Sequence, residues 1–98
     1  MNKDTLQQIN NLAVFIFDDK EYSRFINFIK NKQFNDARIF IDQKIKNLEY
    51  LLFEVRRKGS YENLLSQYTK TDELQDIVMD LNISNVEYGE GKQIRSNP

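Results

Sequence analysis

The sequence predicts an all-α fold: a single compact bundle of four to five helices, with a long third helix and a flexible C-terminal tail. Three observations carry this expectation. Apolar residues recur at steps of three and four through most of residues 4–82. No proline interrupts the chain before Pro98. Capping residues stand at the joints between the periodic segments. Ninety-eight residues suit one domain, and a chain of that size buries only about two-thirds of the surface it exposes when unfolded. Residues 1–82 are therefore read as the helical domain and residues 83–98 as the tail.

The first helix is expected from about residue 4 to 17, with Leu6, Ile9, Leu12, Ala13 and Ile16 on one face and Asp4 with Gln7 as its opening pair. Val14-Phe15-Ile16-Phe17 is apolar on all sides and also suits a strand, so the type of residues 12–17 stays open, with helix preferred. Asp18 caps the second helix, Glu21 completes the box, and Tyr22, Phe25, Ile26 and Ile29 follow on one face. That helix stops in Lys30-Asn31-Lys32, where positive charge suits the end of the dipole.

Ala37, Ile41, Ile45, Leu48, Leu52 and Val55 predict the third and longest helix, from about Asn35 to Lys58, on the order of 35 Å. Arg56-Arg57-Lys58 and then Gly59 read as its stop. Ser60 is the expected cap of a fourth helix through Tyr61, Leu64, Leu65 and Tyr68. Thr69 or Thr71 is the expected cap of a fifth, in which Leu74, Ile77, Val78 and Leu81 face inward. The two could equally be one kinked helix. After Asn82 the period fails, and Tyr88-Gly89-Glu90-Gly91-Lys92 reads as tail.

Composition removes most catalytic chemistry. Without Cys or His there is no thiol nucleophile, imidazole base, disulfide or ordinary zinc site. Gly89-Glu90-Gly91-Lys92 lacks the hydroxyl residue and preceding strand of a phosphate loop. Asp72, Asp76 and Asp80 step by four, unlike the alternating ligands of a calcium loop. No metal, cofactor or enzymatic activity is expected. The longest apolar run, Leu12 to Phe17, is far short of the roughly 20 residues that span a bilayer. The N-terminus carries no secretory pattern, which makes a cytoplasmic protein the expectation. Eleven Asn, ten Ile and nine Lys against two Ala suit AT-rich coding DNA, as in low-GC bacteria.

The formal charge of −1 is unevenly spread. Residues 20–58 carry ten Lys or Arg against five acids, whereas residues 59–90 carry one Lys against seven. Such polarity bears on partners and encounter rates more than on fold. In the acidic part Asp72, Glu73, Asp76 and Asp80 form a ridge beside an apolar face, with Tyr61 and Tyr68 just upstream. Aromatic anchors in a field of carboxylates suit recognition of a basic protein surface. In size, helical build and want of catalytic groups the chain resembles in kind the immunity proteins that bacteria use against nuclease toxins, although no residue motif carries the likeness. The expected function is thus a small non-catalytic inhibitor of a basic partner, such as a nuclease toxin. A phage-type inhibitor or secretion chaperone meets the same description. The alternative is a nucleic-acid-binding regulator using the basic segment 30–58, in which Lys30, Lys32, Arg38, Lys44, Lys46, Arg56, Arg57 and Lys58 would meet phosphates. A homo-oligomer is the third class, suggested by Phe15-Ile16-Phe17 and by Phe28 and Phe53 lying off their main stripes.

Overall fold

The Asn2 side chain opens the first helix by accepting from the Thr5 backbone N–H at 2.7 Å, so α1 spans Lys3–Ile16. Asp4 lies in the first turn instead of capping it, where its charge still suits the positive end of the dipole. A computed structural model describes residues 2–88 of the chain, as four helices with no strand among them. The apolar stretch at the end of α1 is helical to Ile16, and only one side of it is inside. Ile16 and Phe17 are buried, whereas Val14 and Phe15 are exposed.

Asp18 and Glu21 form the expected reciprocal box: the Glu21 N–H donates to Asp18 Oδ1 at 2.8 Å, and the Asp18 N–H to Glu21 Oε1 at 3.0 Å. This starts α2, Asp19–Lys30. Its end is a Schellman turn. The Lys32 N–H reaches the Ile29 carbonyl at 3.1 Å and the Gln33 N–H the Phe28 carbonyl at 2.8 Å. Lys32 takes the left-handed conformation that the turn demands, with φ 58°.

The third helix, α3, spans Phe34–Glu54 and stops short of the expected Lys58. Its end is closed from outside: Arg56 Nη1 donates to the carbonyls of Phe53, Glu54 and Val55 at 3.2, 3.1 and 3.3 Å. The basic run thus compensates the dipole by folding back on the helix. Only Val55–Arg57 connect α3 to α4, which spans Lys58–Tyr88.

α4 corrects several expectations. It is the longest helix, at 31 residues against 21 for α3, and of the two alternatives left open for residues 60–82 it takes the single helix. Gly59 and Ser60 lie inside its first turn, neither stopping one helix nor capping another. The two threonines expected as caps bond backwards instead: Thr69 Oγ1 donates to the Leu65 carbonyl at 2.9 Å and Thr71 Oγ1 to the Gln67 carbonyl at 2.6 Å. A hydroxyl satisfied by the preceding turn gives the backbone no reason to leave the helix. The helix also continues past Asn82 to Tyr88; the part of the expected tail from residue 89 to 98 lies outside the described residues.

Each helix packs on the next, and α1 also packs on α4, closing a four-membered ring. The core gathers Ile9, Leu12, Ala13, Ile16 and Phe17 with Phe25 and Ile29 of α2, Phe34, Ala37 and Ile41 of α3, and Leu74 and Val78 of α4. Phe17 stacks at a tilt between Phe25 and Phe40, with centroids 5.1 and 5.4 Å away. α1 and α2 have only 14 and 12 residues, too few to cover the length of the α3–α4 hairpin. The protein is accordingly elongated, 56 × 26 × 20 Å.

Candidate functional site

All six residues singled out in the sequence lie on α4. Because Leu74 and Val78 anchor this helix in the core with no exposed surface, the 3.6-residue period turns Asp72, Glu73, Asp76 and Asp80 outward. All four are exposed. Among the described residues the ion pairs are Lys44–Glu21 and Lys46–Asp42, each at 3.3 Å, so none of the four carboxylates is neutralised by a bridge.

The two tyrosines differ. Tyr61 is 44% exposed. Tyr68 is half-buried against α3, and its hydroxyl donates to Glu49 Oε2 at 3.3 Å. The Glu49 carboxylate beside it pushes the phenol above its ordinary value of 10.0, with desolvation, the hydrogen bond itself and Asp72 adding to the effect. Tyr68 therefore stays a neutral donor, and its hydroxyl is already engaged. Tyr61 and the carboxylates are the parts of the site free to meet a partner.

The chain matches no protein-family model, no curated protein and no solved structure.

Sequence reasoning missed three features here. Leu65, expected in a fourth helix with no face assigned to it, is 42% exposed on the outer side of α4. Glu49, which holds Tyr68, comes from α3 and no pattern within α4 announces it. A groove of about 650 Å³ also runs between α1 and α2, floored by Leu6, Ile26 and Ile29 with Lys3 and Lys30 among its lining.

The basic segment is dispersed. Lys44 and Lys46 are bridged to acids, Arg38 donates to Asn35 Oδ1 from both Nε and Nη2, and Arg56 serves the end of α3. Of the remaining four, Lys30 and Lys32 stand before one end of α3 and Arg57 and Lys58 beyond the other. The 21 residues between them correspond to about 31 Å of helix.

Proposed function

We propose that the protein is a small non-catalytic binder that inhibits a basic partner through the outer face of α4, in the manner of an immunity protein against a nuclease toxin. The observation that supports this most is the ridge of Asp72, Glu73, Asp76 and Asp80: four exposed carboxylates, outside the ion pairs of the described residues, on a helix anchored in the core. α4 carries six acids against two lysines. A rigid row of like charge steers a basic surface toward it, and Tyr61 offers contact area beside that row. A nuclease must present positive charge to its substrate, so such a row can dock at its cleft and exclude phosphate.

The test is charge reversal. Asp76→Lys with Asp80→Lys leaves the melting temperature nearly unchanged, because exposed substitutions usually cost within about 0.5 kcal/mol. Capture of basic proteins from the source cell should fall, and association with a captured partner should slow most at low salt, where charges are least screened. Retained binding with unchanged salt dependence would remove the acidic ridge from the mechanism. DNA or RNA binding that is lost on reversing Arg57 and Lys58, and improved by reversing the acids, would establish the regulator instead.

A further inference from the structure

On α4, Lys58, Tyr61, Leu65, Tyr68 and Asp72 follow one another at steps of three, four, three and four. Residues at those steps lie along one line of a helix. The line is turned away from the core: Lys58 and Asp72 are exposed, Tyr61 and Leu65 are 44% and 42% exposed, and Tyr68 is half-buried. From either end it reads as charge, tyrosine, leucine, tyrosine, charge, with opposite signs at the two ends. Leu65 is its centre, and Lys58 and Asp72 are each seven residues away.

We infer that this line is the contact between two copies of the chain, packed as an antiparallel helix pair about a two-fold axis at Leu65. A two-fold contact requires a surface complementary to itself, so that residue i of one copy meets j of the other and j meets i. Antiparallel pairing about Leu65 does this along the whole line. Leu65 meets Leu65, Tyr61 meets Tyr68, and Lys58 meets Asp72, each unlike pair occurring twice. Parallel pairing would set lysine on lysine and aspartate on aspartate, so charge selects the direction.

Packing supplies the reason for an occupant. The main core draws on α3 only from Phe34 to Ile41 and on α4 only at Leu74 and Val78, and among the described residues of the outer hairpin Leu48 and Thr71 are the buried side chains. That half consists of two helices without a second layer to cover them. Phe53, 78% exposed, lies one turn beyond Glu49, whose bond to Tyr68 fixes that side of α3 beside the line. Two hairpins joined here complete a four-helix layer. Phe53 and Tyr61, 78% and 44% exposed, supply most of the apolar surface that the contact covers. The inference does not rest on the proposed basic partner: Tyr61 and Asp72 belong to both surfaces, and the dimer leaves Glu73, Asp76 and Asp80 to such a partner.

Sedimentation velocity of the full chain over a concentration series tests it, with twice the chain mass as the expected limit. Lys58→Glu and Asp72→Lys should each weaken the dimer at least about tenfold, since every reversal creates two like-charge contacts. An equimolar mixture of the two reversed proteins should recover a dimer, because each then meets its opposite at both ends. Leu65→Asp should abolish association while circular dichroism retains the helical spectrum. A monomer at every concentration would overturn the inference. So would a dimer indifferent to both reversals, or a mixture no tighter than its components.

Discussion

Tyr68 shows how one side chain ties the acidic helix to its neighbour. Its hydroxyl spans from α4 to Glu49 of α3, and the carboxylate that accepts this bond also disfavours the phenolate. Glu49→Gln removes the charge and keeps an acceptor. The Tyr68 titration, followed by ultraviolet phenolate absorbance, is then expected to move down toward the ordinary phenol range. The sign for stability follows from the same shift. The unfolded chain loses this proton at lower pH than the folded one, so the contribution is complete below the ordinary value and declines as pH rises above it. Gln75 makes a second tie: its Nε2 donates to the Arg38 carbonyl at 3.2 Å, 8% exposed at the α3–α4 seam, while Oε1 finds no partner among the described residues.

At the scale of the element, the helix ends decide where the chain turns. The α2–α3 turn has the complete Schellman hydrogen-bond pair with a lysine at the left-handed position. A side chain there costs about 1–2 kcal/mol of steric conflict, partly offset by the greater freedom glycine gives the unfolded chain. Lys32→Gly should therefore raise stability by about 0.5–1 kcal/mol, measured as a shifted urea midpoint at constant slope. An unchanged or lower midpoint would show that Lys32 gains a compensating contact. The α3–α4 turn works differently. Gly59 keeps an ordinary negative φ and a Cβ added to it would touch nothing within 4 Å, so the reversal depends on Val55–Arg57 and the Arg56 clasp instead of on glycine.

Across the whole molecule, stability is concentrated at one end. Leu74 and Val78 share one cluster with residues of α1, α2 and α3, whereas beyond it the described part of the hairpin buries only Leu48 and Thr71 fully. Leu74→Ala should cost about 2–5 kcal/mol, because it opens a cavity in the cluster where α4 packs on α1 and α3. Urea unfolding followed by circular dichroism checks the size of the loss and whether the transition stays single. A cost below 1 kcal/mol, on the order of a surface change, would mean that α4 is not anchored there. No helix among the described residues is long and apolar enough to cross a membrane, and the unequal charge of the two halves is displayed along a body 56 Å long.

Periodicity and caps settled what is local. The helical class, the Asp18–Glu21 box, the inward positions of Ile9, Phe25, Ile41, Leu74 and Val78, and the outward turn of Asp72, Glu73, Asp76 and Asp80 all follow from spacing within one segment. Cap residues misled wherever their side chains had two satisfactory partners. Thr69 and Thr71 can open a helix or bond back into one, and only packing of α4 along α3 and α1 selects the second. The state of Tyr68 is set by a carboxylate nineteen positions away in the chain. Interactions of that range leave no period in the sequence. They exist only once α3 and α4 lie side by side, so the tertiary structure alone decided them.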